Sequence, residues 1–346
     1  MAGSSGWYVL GPEVREFEDR LAAYWGLAHA IGVASGLDAL ELSLRALGCK
    51  PGDKVLTTPL SAFATTLAIV RVGAVPVFVD CDESGLADLD LTERVLNRRK
   101  DIRFFVPVHL YGQCLDLDRL AALRDRFSLS IVEDCAQSIG ASHMGRPSGS
   151  IGQFAATSFY PTKNLGALGD GGAVLTASGE RATLVRVLRD YGQERKYLHT
   201  VIGANSRLDE LQAAILWRAS LPKLNEWTER RRRIAAIYRD ALQNPLCPPL
   251  PAAPGSSSCH HLFPVLVSPV RKSEFIDFLK ARGVQAGEHY PIPIMEQPAL
   301  SGVAYEVEGD CSVSRGICRS EVSLPIHPYL KDEEVSLVAD SCNSWR

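Results

Sequence analysis

The sequence predicts an α/β protein: a mostly parallel central sheet covered by helices on both faces, followed by a smaller C-terminal α+β domain. Three observations carry this. Short apolar runs alternate with amphipathic helical patterns through most of the chain, as strand–helix–strand units of a parallel sheet do. A Pro-rich break from Pro245 to Pro254, with a Ser run after it, interrupts that alternation. The 346 residues suffice for about two domains, and the expected division is residues 1–240 from residues 241–346.

Taken in order, Pro12 opens a helix whose apolar face is Val14, Phe17, Leu21 and Trp25, and Gly26 ends it. Ala30 to Ala34 is a strand that feeds Ser35-Gly36 into a helix running to Gly48. Such a strand-to-helix turn gathers free backbone N–H groups into an anion site; an ordinary N-cap by Ser35 is the other reading. Strands are predicted at Lys54 to Thr58, Val75 to Val79, Arg103 to Val108, Leu129 to Val132, Phe154 to Phe159 and Ala173 to Thr176. Helices are predicted between them at Phe63 to Val72, Leu91 to Asn97 and Leu117 to Phe127, then at Glu180 to Arg189 and Arg207 to Trp217. Tyr191 to Asn205 reads as a polar loop, and Pro222 begins a long helix. Beyond the break, strands are expected at His261 to Val267, Gln285 to His289 and Glu321 to Leu324, with helices at Lys272 to Arg282 and Lys331 to Ser341.

Composition excludes several classes. A net charge of −3 argues against a polyanion-binding protein, so no nucleic-acid partner is expected. The one basic run, Arg230 to Arg233, lies in the long helical pattern and reads as a solvated face. No apolar run is long enough to span a membrane, and the start lacks a secretory signal pattern. Nine scattered cysteines without a Cys-x-x-Cys pair fit reduced, cytoplasmic thiols, and no metal site is expected.

In parallel sheets ligands collect beyond the carboxyl ends of the strands. Four such ends carry polar residues: Ser35-Gly36, His109 with Tyr111, Glu133-Asp134 with Gln137, and Ser158 to Lys163. There is no nucleotide fingerprint of the Gly-x-Gly-x-x-Gly or Gly-x-x-x-x-Gly-Lys type. Lys163 stands alone between a strand and the Gly-dense Gly166 to Gly172 turn. Desolvation there lowers a lysine pKa and suits it to Schiff-base chemistry; a snorkelling surface lysine is the other reading. Together the four ends supply what pyridoxal 5′-phosphate needs: an anion pocket for its phosphate, a carboxylate (Asp134) for its ring nitrogen, an amide (Gln137) for its ring hydroxyl and a lysine for its aldehyde.

These residues resemble the DegT/DnrJ/EryC1/StrS family of sugar aminotransferases, fold type I pyridoxal-phosphate enzymes. The likeness runs nearly end to end, through Ser35 to Leu40, Glu133 to Gln137, Ser158 to Gly172, Asn205 to Ala214 and Leu324 to Pro328. The His109 to Gln113 and His289 to Pro291 segments resemble the subgroup that aminates 3-keto-6-deoxyhexoses on a nucleotide carrier. The resemblance implies that Lys163 binds the cofactor aldehyde and shuttles the proton. It also implies that Asp134 and Gln137 hold the ring, and that Gly36, Leu37 and Ser158 hold the phosphate. Asn205 would reach the phosphate of a neighbouring subunit, implying an obligate homodimer with shared sites. Glutamate is the implied donor and a keto-sugar nucleotide the acceptor, with His109, Tyr111, Lys196, Tyr197 and His289 as substrate contacts. The chain departs from the pattern at Leu37, where Thr is usual, and at Ala62, where a ring-stacking aromatic is common; Phe63 next door is the implied substitute. It also starts later than the pattern leads one to expect, so an upstream segment that packs against the body and the dimer is expected. A sugar dehydratase of the same family would carry His where Lys163 stands. The readings left open are a cyclitol-type aminotransferase and a regulatory protein that binds cofactor or sugar without turnover.

Overall fold

The computed structural model describes residues 6–346. Its elements follow the predicted alternation. Helix α1 (Pro12–Trp25) precedes β1 (His29–Val33), α2 (Gly36–Ala46), β2 (Lys54–Thr57), α3 (Phe63–Arg71) and β3 (Val75–Val79). Next come α4 (Leu89–Arg98), β4 (Ile102–Phe105), α5 (Leu117–Phe127), β5 (Ser130–Asp134) and the short β6 (Ser142–His143) and β7 (Arg146–Pro147). Strands β8 (Phe154–Ser158) and β9 (Gly172–Thr176) lead to α6 (Gly179–Arg189), then to β10 (Gln193–Arg195) and β11 (Leu198–His199). Helices α7 (Glu210–Ile215) and α8 (Leu224–Ala241) follow. The remainder comprises β12 (Ser256–Ser257), β13 (Phe263–Leu266), α9 (Lys272–Ala281), β14 (Glu306–Glu308), α10 (Ser312–Ser320), β15 (Glu321–Leu324) and α11 (Asp332–Ser344).

The main sheet runs β1-β9-β8-β5-β4-β2-β3-β14. Only β9 runs against the rest, antiparallel to β1 and to β8. The carboxyl ends of β1, β8, β5 and β4 therefore share one edge. Strand residues alternate between two cores. Val55, Phe104 and Val132 pack under α2, α3 and α6, whereas Leu56, Phe105 and Ile131 pack under α4 and α5. A separate pair, β13 with β15, has its own core with α8, α9 and α11. No helix among the described residues is long and apolar enough to cross a membrane. All nine cysteines are free and buried.

Several elements differ from expectation. The predicted strand from Gln285 to His289 is reduced to one bridge, Gly287 to Ser323. Beyond it the backbone N–H of His289 donates to the Glu321 carboxylate at 2.7 Å, not to a strand, so the ladder stops. Helix α7 begins at Glu210, with Asp209 at its N-cap, so Arg207 precedes it. The polar loop contains the β10–β11 hairpin. Strand β14 has no apolar signature. Its Glu306 and Glu308 are each held by Arg99 at 2.7 Å, which leaves a charged edge strand. The Arg230 to Arg233 run is not one solvated face. Four consecutive helical residues point in four directions about 100° apart, so one must turn inward. Arg231 does, 6% exposed, while Arg230 and Arg233 pair with Asp332.

Candidate active site

Strand β5 ends in two buried carboxylates that point opposite ways. Glu133, fully buried, accepts hydrogen bonds from the backbone N–H groups of Gly149, Ile151 and Gly152 and pairs with His109 Nε2 at 2.8 Å. Asp134, 5% exposed, accepts from Thr65 Oγ1 at 2.8 Å and from the Ala136 N–H at 3.1 Å. Burial pushes its carboxyl pKa up, against the pull of Thr65, Ala136 and the charge of Lys163. Lys163 is set by a turn in which its N–H donates to the Tyr160 carbonyl at 2.8 Å, braced by Phe159 N–H to the Gly171 carbonyl at 2.8 Å. Burial lowers its pKa and Asp134 opposes that. Among the described residues its Nζ makes no hydrogen bond. The side chain is half-buried and lines the cleft, and its desolvation favours a place in the site over open solvent.

The start of α2 lies against the end of β8. A Cβ on Gly36 would sit 2.6 Å from Ser158 Cβ, so only glycine allows this approach. Ser35 caps the helix, its Oγ accepting from the Asp38 N–H at 3.1 Å. The N–H groups of Gly36 and Leu37 lie ahead of the helical ladder and face the Ser158 end of the sheet. The N-cap reading is observed, and the close approach of α2 to β8 leaves the anion-site reading open.

Gln137 is 6% exposed and its amide is oriented from both sides. Its Oε1 accepts from the Tyr111 N–H at 2.7 Å and its Nε2 donates to Tyr290 Oη at 3.1 Å. Two expected substrate contacts are corrected here. His109 is fully buried, with Nδ1 accepting from the Leu115 N–H at 3.1 Å and Nε2 on Glu133, so it anchors the turn after β4. Tyr111 is 1% exposed and donates its hydroxyl to the His289 carbonyl at 2.5 Å, so it braces the wall of the site.

A cleft of about 600 Å³ opens beside Lys163, lined by Asn164, Trp227, Arg231, His261, His289, His327 and Tyr329 among others. None of its lining residues is acidic. Arg231 donates to the carbonyls of His260, His261 and Ile326, and burial lowers its pKa to about 10. His261 Nδ1 lies 3.1 Å from Asn164 Oδ1. His289 lines the cleft. Phe63 is half-buried at the start of α3 against the cluster of Phe78, Ile294 and Met295. Lys196 and Tyr197 are exposed in the β10–β11 hairpin, and Asn205 is exposed beside it; none of the three lines the cleft of its own chain. Sequence reasoning missed Thr65, Tyr290, Arg231 and Glu321. Thr65 sits inside an apolar helix pattern, and nothing in its spacing marks the residue that meets Asp134.

The aminotransferase family model described as DegT/DnrJ/EryC1/StrS matches residues 2–343. The chain belongs to the DegT/DnrJ/EryC1/StrS aminotransferase family. It is 44% identical over 343 residues to the dTDP-3-amino-3,4,6-trideoxy-alpha-D-glucose transaminase of Streptomyces venezuelae, covering 99% of this chain and 89% of that one. The solved structure of S. venezuelae DesV superposes with a TM-score of 0.93 at 43% identity, covering 99% of this chain and 91% of that chain. A structure of NtdA from Bacillus subtilis with bound cofactor PMP superposes with a TM-score of 0.88 at 27% identity, covering 98% and 78%. The chain is thus an aminotransferase on a fold type I scaffold. Its residues fit a pyridoxal cofactor on their own terms. Among the described residues a buried carboxylate with a raised pKa lacks a cation within hydrogen-bonding reach, a lysine amine without a hydrogen-bond partner lies within its electrostatic reach, and Gly36 lets the start of α2 approach Ser158 closely.

Proposed function

We propose that the chain is a pyridoxal 5′-phosphate-dependent aminotransferase that moves an amino group from glutamate to a nucleotide-linked keto-sugar, a dTDP-3-keto-6-deoxyhexose in the first instance. The observation that carries this is Lys163: a half-buried lysine whose pKa is depressed by desolvation, without a hydrogen-bond partner among the described residues, and within electrostatic reach of the buried Asp134 at the carboxyl edge of the sheet. The transaminase relative from S. venezuelae supports the sugar.

When bound, the cofactor supplies an electron sink and a carrier for the amino group. Asp134 would hold a proton on the ring nitrogen, because a cation beside that carboxylate would relieve the cost of its buried charge. Thr65 and the Ala136 N–H orient that carboxylate. Gly36, Leu37 and Ser158 hold the phosphate, and Gln137 holds the ring oxygen. Lys163 Nζ, free to be neutral, accepts and returns the proton at the substrate carbon. Phe63, at the start of α3, would be the aromatic to pack against a bound ring. The acid-free cleft draws in carboxylates and the diphosphate of the carrier.

The exposed Asn205, Lys196 and Tyr197 serve the site of a second subunit in a homodimer; their absence from the cleft of their own chain supports this reading. Residues 1–240 are read as the cofactor-binding domain and 241–346 as the smaller one, with α8 lending Ile234, Ala235 and Tyr238 to the smaller core and β14 reaching back to the large sheet. Free, buried cysteines support a cytoplasmic location. A regulatory protein without turnover is not favoured, because nothing in such a role needs a depressed lysine beside a buried acid.

The test is the visible absorbance of the protein mixed with pyridoxal 5′-phosphate, before and after glutamate. A yellow band that bleaches with glutamate, and that Lys163→Ala lacks, is expected. A band that persists in Lys163→Ala would overturn the assignment.

A further inference from the structure

His289 is held at three of its polar atoms. Its backbone N–H donates to Glu321 Oε2 at 2.7 Å, its carbonyl accepts from Tyr111 Oη at 2.5 Å, and its ring Nδ1 lies 2.9 Å from Ser323 Oγ. Ser323 Oγ in turn donates to Glu321 Oε1 at 2.5 Å. Glu321 and Ser323 are two residues apart on β15, so their side chains share one face, while Val322 and Leu324 pack into the core on the other. Glu321 is fully buried and Ser323 is 4% exposed.

The hydrogens follow from donor counting. An ionised Glu321 only accepts, so the Ser323 hydroxyl must donate to it. Ser323 Oγ then offers a lone pair to His289, and Nδ1 must carry the ring proton. Nε2 is left with a lone pair and has no partner among the described residues. His289 lines the cleft beside Lys163.

We propose that Glu321 and Ser323 form a relay that fixes the tautomer of His289, so that Nε2 stands in the cleft as a hydrogen-bond acceptor for a hydroxyl of the sugar substrate. His289 is then a substrate-recognition residue, and Glu321 and Ser323 are positioning residues. The substrate half of this rests on the aminotransferase reading; the tautomer does not. The charged groups around the relay are Lys272 and Glu288, ion-paired at 2.6 Å on the Glu321 side, and Lys163 in the cleft. Burial foremost, opposed by Lys272 and the hydrogen bonds, lifts the Glu321 carboxyl to about 7. Burial and then Lys163 lower His289, so at pH 8 the acid is charged and the ring neutral.

Nitrogen NMR of the cofactor-loaded protein with labelled histidine, at pH 8, reads the tautomer, and His289→Gln assigns the signal. The Nδ1–H form is expected. Ser323→Ala should abolish that preference, and Ser323→Thr, which keeps an Oγ, should restore it. An Nε2–H form in the native protein, or no change in Ser323→Ala, overturns the proposal. Ser323→Ala should also raise KM for the keto-sugar nucleotide about three- to tenfold, one hydrogen bond's worth, with glutamate bleaching changed less than about twofold. Equal loss in both half-reactions overturns the role in sugar recognition. Failure of the native protein to bleach with glutamate would instead sink the aminotransferase reading and leave the tautomer to the NMR.

Discussion

Glu321 shows what a single buried acid does to this fold. Its carboxyl is lifted from an ordinary 4.5 to about 7, burial being the largest cause. The folded state therefore holds the proton more tightly than the unfolded chain does. Stability from this group is fully present below pH 4.5 and is lost as pH rises through about 7, a difference of about 3 kcal/mol. Glu321→Gln has no such dependence. Urea midpoints of the two proteins should diverge in favour of the variant between pH 4.5 and pH 8, and parallel curves would refute the shift. Asp134 follows the same rule, with burial the largest cause of its raised pKa. At this scale the sequence singled out Lys163, Asp134 and Gln137, and the structure buries Asp134 and Gln137 and leaves Lys163 half-buried near them. The sequence misled at His109 and Tyr111, which occupy a strand end yet point into the body. A position at the edge of a sheet does not say which way the side chain turns once the strand has stopped.

At the scale of elements, the cradle depends on how closely α2 approaches β8. Gly36→Ala would place a Cβ 2.6 Å from Ser158 Cβ, so the helix start or the strand end must shift. Overpacking of this kind costs about 1–3 kcal/mol. The variant should melt lower and bind pyridoxal 5′-phosphate more weakly in a fluorescence titration, and adding Ser158→Gly should recover part of both. Unchanged affinity would remove Gly36 from the phosphate site. The elements with strong periodicity, α1 to α5 and β1 to β5, were legible from sequence because burial on one face imposes the repeat. Strand β14 was not, because a charged edge strand has no buried face to impose one. The segment from Gln285 to His289 looked like a strand, yet Glu321 takes the N–H that a neighbour would have used.

At the scale of the molecule, the C-terminal region is tied back to the large sheet at several points, among them β14 on β3 and the clasp of Asp80. The Asp80 carboxylate at the end of β3 accepts from Val313 N–H at 2.9 Å and from Ser314 N–H and Oγ at 2.9 and 2.6 Å, capping α10 across more than two hundred residues of chain. Asp80→Ala should cost about 1–3 kcal/mol by leaving first-turn N–H groups unpaired. Hydrogen exchange should quicken at residues 313–316, and unchanged exchange there would show that the clasp carries no stability.

By itself the sequence determined the alternating α/β architecture and singled out the polar strand ends, with the lysine, acid and amide expected to carry the chemistry. Those follow from local rules: periodicity of burial, turn residues at strand ends, and residue types that a given chemistry requires. Only the tertiary structure decided that Thr65 orients Asp134, that Arg231 turns inward from a basic run, and that Glu321 and Ser323 stand behind His289. Each of these joins residues distant in the chain, and the choice among possible partners is made by packing. A hydrogen bond spanning dozens of residues leaves no period in the sequence to read.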